Sequence, residues 1–437
     1  MNIAVLTMFN GLAKTYSLVH VVEEQLAMML DEDDLHIRML VSEDCPDHER
    51  NGIFADPRIE WVKVTNRYQG KLIHWKDYAG SCGEVHDTFF GEAHAIADDL
   101  VRKLRGMDVC IMHDILYQGW HLVHNIAVRR AQLELPGLRF IAVTHSLPEA
   151  RPFRTEWPFS ARYSPMPNTT WVYPTESGLR ALAQQYNISE ANCRAVHNSF
   201  NPLAEGSADL LALSRRVDLF TSDVLIVYPG RLTPGKQFEK AAALAGTIRS
   251  MSGLSVQLLF CDFPSLDIPP ATYKAIIREQ GKSRGLLDGD IVFTSDEGWP
   301  GGYPHHAVME LFGLSNLFIC SSYSESFGLI VLEAASRGNL IVLNEAVPAL
   351  KELGASLGAY FMRWNARNFG YDTRESYEPS EEAYLKDHAS VIVEKLKSNP
   401  VLAAKTAVRQ RYHPKWVWKQ QLEPLLREGR APRDETL

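Results

Sequence analysis

Two glutamates, two basic residues and a helix start carry the clearest chemistry in this sequence. Glu325 and Glu333 lie eight positions apart in the run Cys320-Ser-Ser-Tyr-Ser-Glu-Ser-Phe-Gly-Leu-Ile-Val-Leu-Glu-Ala-Ala-Ser-Arg-Gly338, and Glu333 is the only charge between Glu325 and Arg337. An unpaired carboxylate is costly to bury, so donors should await Glu333. The backbone amides of Gly328, Leu329 and Ile330 would head the helix, a geometry that suits an anion. A phosphate there would repel both carboxylates, which points to neutral hydroxyls as their partners, on a sugar and on a ribose. A ligand that joins a sugar, a phosphate bridge and a ribose is a nucleotide sugar. The plainer reading makes Glu333 an exposed surface glutamate.

Arg231 and Lys236 stand five positions apart in Pro229-Gly-Arg-Leu-Thr-Pro-Gly-Lys236. A guanidinium forks onto phosphate oxygens and an ammonium adds a point charge, so the pair would neutralise a departing diphosphate. Two solvated loop cations are the alternative. His113-Asp114 and His145 each close an apolar run, where ligands gather in an open parallel sheet. A lone histidine is more often a structural hydrogen-bonder, but two at strand ends point to a site.

These side chains need strands, tight turns and helices behind them. Leu317–Cys320 is too short for a helix and reads as a buried strand. The following helix is expected over Phe327–Arg337, with Ser326 as N-cap and Gly338 as its stop. Val224–Tyr228 is a second buried strand running into the Arg231–Lys236 turn. At the start of the chain, Asn2–Met8, Phe9-Asn10-Gly11 and a helical pattern over Ala13–Leu30 make a strand, a glycine turn and a helix. One glycine does not make a dinucleotide fingerprint. Further strands are expected at His36–Val41, Ile59–Val64, Val109–Met112, Phe140–His145 and Thr170–Pro174, with a helix over Glu84–Leu104.

Glu325-x7-Glu333 with Phe327-Gly328-Leu329, preceded by Gly230-Arg231-Leu232-x3-Lys236, resembles the two signatures of retaining GT-B glycosyltransferases, closest to glycosyltransferase family four. The resemblance implies an α/β fold of two Rossmann-like doubly wound domains facing across a cleft. It implies an acceptor domain at 1–203, a nucleotide-sugar donor domain at 204–405 and a terminal helix within 406–437 that crosses back onto the first. It assigns Glu325 and the amides beside Phe327, Gly328, Leu329 and Ile330 to the donor sugar, and Glu333 to the ribose. Arg231 and Lys236 take the phosphates, Gly11 approaches the diphosphate and His145 stands beside sugar and acceptor. Retention of configuration without a metal is the implied reaction, with the leaving phosphate taking the acceptor's proton.

Departures from that pattern accompany it. His197-Asn198-Ser199 stands where relatives cross between domains with P-N-G, Cys261 and Ser295 follow strands that often end in glycine, and Glu345-Ala-Val precedes Pro348 in place of a glycine pair. They leave base, sugar and acceptor open, and keep a catalytically silent nucleotide-sugar-binding protein as an alternative. The proline-rich stretch 146–167, with Arg151, Arg154 and Arg162 among aromatics, reads as an acceptor-facing loop. A small molecule or glycan is the favoured acceptor there, with His113 and Asp114 as further acceptor-side residues. Interleaved arginines and aromatics also admit a transferase acting on modified bases in DNA.

Composition narrows the remaining classes. The 437 residues suffice for two domains, and 46% apolar with 22% charged residues is an ordinary globular balance. A formal net charge of -8 argues against a general nucleic-acid binder. Six scattered cysteines fit reduced thiols, and with no signal peptide and no membrane span expected, a cytoplasmic protein is the reading. Cys45, His48, Cys82 and His86 have a zinc-like spacing, outweighed by the reading of two incidental pairs, and the two Asp-x-Asp matches are misplaced for a metal motif. No metal and no cofactor beyond the co-substrate are therefore expected. The residues from Glu428 read as a polar, frayed end.

Overall fold

The structure is a computed structural model that describes residues 1–73, 76, 78–368, 371–377 and 380–428. The polar end expected beyond Glu428 lies outside the described residues. Two compact units emerge, Met1–Ser199 joined by the stretch from Pro414, and Phe200–His413. Helix Pro400–Arg411 stays with the second unit, because the buried guanidinium of Arg409 serves the carbonyls of Leu314 at 3.0 Å and Asp223 at 3.2 Å. The return to the first unit thus starts at Pro414.

The first unit is built on seven parallel strands in the order Ile59–Val64, His36–Ser42, Asn2–Leu6, Val109–His113, Arg139–Val143, Thr169–Tyr173, Cys193–Ala195. Strand side chains alternate between faces, so Ile3 and Val5 enter one core while Ala4 and Leu6 enter the other. A strand covered on both faces must be apolar throughout, which is why Ile3–Leu6 reads as an unbroken run. Helices Ser17–Leu30, Phe89–Leu104, Leu122–Glu134 and Leu179–Tyr186 belong to this unit. The first two start later than the residue pattern predicts, since 13–16 form a turn closed by Tyr16 N–H on the Ala13 carbonyl and Phe89 N–H bonds back to His86.

The terminal stretch packs on the core that holds Ile3 and Val5. Trp418, Leu422, Leu425 and Leu426 are buried there, and burying each large side chain contributes about 1.5–3 kcal/mol. The Trp418 indole donates to Glu32 at 2.8 Å and Arg427 pairs with Asp34 at 3.0 Å. Instead of one helix there are three segments, Pro414–Val417, a π-helical Trp418–Leu422 and Glu423–Arg427. Pro424 has no amide hydrogen to continue a regular ladder.

The second unit is a six-stranded parallel sheet, ordered Ile291–Phe293, Val256–Phe263, Val224–Arg231, Leu317–Cys320, Leu340–Asn344, Tyr360–Met362. Each unit is therefore a Rossmann-like doubly wound sheet, and two such units make up the GT-B fold. The chain leaves the sheet in opposite directions on either side of one crevice in each unit. In the first unit that crevice lies between Asn2–Leu6 and Val109–His113, and in the second between Val224–Arg231 and Leu317–Cys320. Crevices of this kind are where open parallel sheets hold ligands.

Candidate functional site

In the second unit the turns after the two crevice strands are stitched together. Tyr323 N–H donates to the Gly235 carbonyl at 2.8 Å, and Ser321 Oγ to the Gln237 carbonyl at 2.8 Å. Gln237, in a left-handed conformation at φ 47°, is buried and sends its amide to the carbonyls of Ser321 at 2.7 Å and Asn365 at 2.8 Å. Fixing both turns in this way brings the Lys236 ammonium onto Glu325 Oε1, although the two residues are 89 positions apart in the chain. Ser322 Oγ donates to the same oxygen at 2.8 Å. Glu325 Oε2 has no partner among the described residues and keeps its lone pairs for another hydroxyl. Gly230 makes room for the Phe238 ring, which a Cβ there would meet at 3.3 Å.

The helix behind Glu325 runs over Leu329–Ser336, two residues later at its start than the sequence implies. Gly328, not Ser326, is its N-cap, at φ 93°, a backbone that side chains rarely adopt. Val331 N–H returns to the Gly328 carbonyl at 2.9 Å, so the amides of Leu329 and Ile330 head the helix without acceptors inside it. Glu333 is 25% exposed and bonded through Oε1 to His305 Nε2 at 3.0 Å, which corrects the plain reading of an open surface glutamate. Phe327 is half exposed, and Arg231 is exposed and in no ion pair among the described residues.

Residues 213–356, which contain this arrangement, match the family model for glycosyl transferases group 1. No curated protein matches the chain. Among solved structures it is similar to a glycosyltransferase from Rickettsia africae, at 14% identity over 98% of this chain and 97% of that one with a TM-score of 0.35. It is also similar to Anabaena HepE in complex with UDP, at 14% identity, 97% and 99% coverage and a TM-score of 0.34. A third is sucrose-phosphate synthase from Thermosynechococcus elongatus, at 14% identity, 98% coverage of both chains and a TM-score of 0.35.

In the first unit His113, Asp114 and His145 come together at the ends of Val109–His113 and Arg139–Val143. The His113 and His145 rings stack with centroids 5.2 Å apart, and His113 Nδ1 lies 2.9 Å from His145 Nε2. Asp114, at φ 57°, accepts the His145 N–H at 2.8 Å. Burial, then the neighbouring His145, holds His113 well below the usual imidazole range, and burial lowers His145 against the opposing pull of Asp114. Leu12 N–H, the amide after Gly11, is held by Glu49 at 2.6 Å.

The arginines of the 146–167 stretch divide. Arg151 and Arg154 are exposed beside Phe153, which is fully exposed. Arg162 is a correction to the acceptor-facing reading. It is buried, donating to the carbonyls of Tyr117 at 2.6 Å and Ala79 at 2.7 Å, so its charge holds the loop rather than facing a ligand. The zinc-like spacing gathers no site. Cys45 is buried with its thiol pushed up to about 11 by burial, Cys82 is exposed, and no three metal-binding side chains converge among the described residues. Among those residues no helix is long and apolar enough to cross a membrane.

A second histidine pair makes the first unit acid-sensitive. His121 and His124 are buried with Nδ1 atoms 3.3 Å apart, and burial lowers His124 to about 4. A histidine depressed in the folded state is protonated first in the unfolded chain, so its contribution is whole above pH 6.5 and lost as pH falls toward 4. Stability is expected to fall by about 1.4 kcal/mol per pH unit for each such group in that window. Urea midpoints from pH 7 to 5 check this, and His124→Gln should flatten the slope by one proton's worth.

Three features escaped the sequence reading. Lys274, which looks like a surface helix lysine, is nine-tenths buried and bonds Ser295 Oγ and Asp296 at 2.5 Å each, while Ser295 Oγ donates to Asp262 at 2.6 Å. The residue that replaces a family glycine is thus part of a charged cluster. Asn344 is wholly buried and uses all its side-chain capacity, donating to the carbonyls of Ser322 at 3.1 Å and Asn365 at 3.0 Å and accepting from Ala346 and Trp364 N–H. Thr7, Asn10, Tyr16, Gln118 and Trp120 line a cavity with Asp114. A strand ending in asparagine before a proline was the available signal for the second; the others have none in the sequence.

Proposed function

We propose that the protein is a retaining, metal-independent glycosyltransferase that moves a sugar, a hexose in the simplest case, from a nucleotide-diphospho sugar to a hydroxyl acceptor. The observation that carries this reading is the meeting of Lys236 and Glu325 beside the helix start at Leu329 and Ile330. The match of 213–356 to glycosyl transferases group 1 supports it independently. In this reading Glu325 Oε2 accepts a donor-sugar hydroxyl and Glu333 the ribose hydroxyls. Lys236 shares its charge between Glu325 and the phosphates, and exposed Arg231, in no ion pair among the described residues, swings onto them. The amides of Leu329 and Ile330 add fixed dipoles where negative charge grows as the sugar–phosphate bond breaks. These groups supply the neutralisation that a divalent ion gives elsewhere. His145, held neutral by burial, polarises the acceptor side.

The test is a thermal-shift screen against UDP-, GDP- and ADP-sugars, followed by turnover of the best donor in EDTA. One donor should stabilise the fold by about 2.7 kcal/mol at a hundredfold excess over its Kd. Product should retain the donor's anomeric configuration, with the rate unchanged by EDTA. Collapse of the rate in EDTA that added Mg²⁺ restores would overturn the metal-independent reading.

A further inference from the structure

The cavity in the first unit occupies the crevice of its own sheet, with a volume of about 190 Å³. At about 30 Å³ for a water in the liquid, it holds a handful of waters, the bulk of one ring rather than of a nucleotide. Its walls include the aromatic rings of Phe9, Tyr16 and Trp120, and its polar groups include Asn10, Gln118 and Asp114.

Asp114 decides what fits. It is 8% exposed, its Oδ1 accepts from His145 N–H, and neither a cation nor a donor to Oδ2 stands against it among the described residues. A buried carboxylate without such partners is costly, and hydroxyl donors would relieve it. Among the described residues no lysine or arginine lines the cavity, and its histidines, His113 and His121, are kept neutral by burial. Burial, then the Asp114 charge, pushes the Tyr16 hydroxyl up, so it stays a donor. An anionic group would meet one negative charge and, among the described residues of the lining, no counter-charge.

We propose that the first unit holds a site for one uncharged sugar ring, gripped through its hydroxyls by Asp114 with Asn10 and Gln118, its apolar face laid on an aromatic wall. Resting on the transferase reading, this makes the acceptor a neutral saccharide whose terminal ring enters the cavity, and it disfavours phosphorylated acceptors and DNA. The ring's hydroxyls donate to the carboxylate while its C–H face covers apolar surface.

The full-length protein is titrated calorimetrically with glucose, galactose and mannose, and with glucosamine and glucose 6-phosphate. At least one neutral hexose should bind, with Asp114→Asn weakening it tenfold or more. Asparagine keeps the Oδ1 acceptor and tolerates left-handed backbone, so the variant should fold. Trp120→Ala, at a partly exposed ring, is the second variant and should weaken the same sugar. Binding of glucosamine alone, tighter binding of the phosphate ester, no neutral hexose bound, or hexose binding untouched by both variants would each overturn the proposal. Nucleotide-sugar binding is followed in the same preparations. Hexose inert with donor binding intact sinks this inference alone, whereas donor inert with hexose bound sinks the transferase reading and leaves the sugar site standing.

Discussion

Lys236→Ala is expected to lower sugar transfer by about 10²–10³-fold, the usual loss when one preorganised charge facing a developing oxyanion is removed. The loss should fall mainly on kcat, because phosphate charge grows as the glycosidic bond breaks and the lysine matters most at that point. Structure adds a complication that the sequence does not reveal. Lys236 also neutralises Glu325, so the variant leaves that carboxylate with Ser322 as its one donor among the described residues. Glu325→Gln separates the two effects by keeping a hydrogen-bonding side chain without the charge. Because the two residues touch, the double variant should cost little more than the worse single one. Turnover of Lys236→Ala within about threefold of wild type would remove the lysine from the mechanism.

The second large effect is on stability. Asn344→Leu deprives the carbonyls of Ser322 and Asn365 and the amides of Ala346 and Trp364 of one partner each, all at a wholly buried position. Gln237 still serves the Asn365 carbonyl, so three of the four are left unsatisfied at about 1–3 kcal/mol each, and a loss of at least about 3 kcal/mol is expected. Asn344→Asp keeps both acceptor roles but turns a carboxyl oxygen toward the two carbonyls in place of the amide donor, and should be destabilised as well. The urea midpoint measures each, and a leucine variant within about 1 kcal/mol of wild type would show that the backbone finds other partners. Since the Ser322 carbonyl belongs to the turn that carries Glu325, a surviving fraction of folded variant should also bind donor poorly.

The turns that carry Lys236 and Glu325 are legible in the sequence. Lys236 and Glu325 stand in short local patterns, a strand, a tight turn and a helix, and such patterns are written in consecutive residues. The helix starts two residues later than the sequence implies because Ser326 is a good capping residue by type, while the glycine that takes the position does so through a backbone conformation that side-chain preference does not report. Arg162 was misread for a related reason. Its chemistry suits a ligand, and the carbonyls it serves at Tyr117 and Ala79 belong to distant segments.

Periodicity and turn chemistry act over a few neighbours, so the alternation of strands and helices, the two sheets and the residue types at the turn ends are legible in consecutive residues. Which charges meet is a long-range matter, visible in the folded chain alone. The ion pair between Lys236 and Glu325, the sinking of Lys274 into the Asp262–Ser295–Asp296 cluster and the single donor to the Asp114 carboxylate among the described residues depend on what other strands bring alongside. Whether a charge ends paired, solvated or waiting for a ligand follows from burial and from partners far along the chain, and neither is a property of its own stretch of residues.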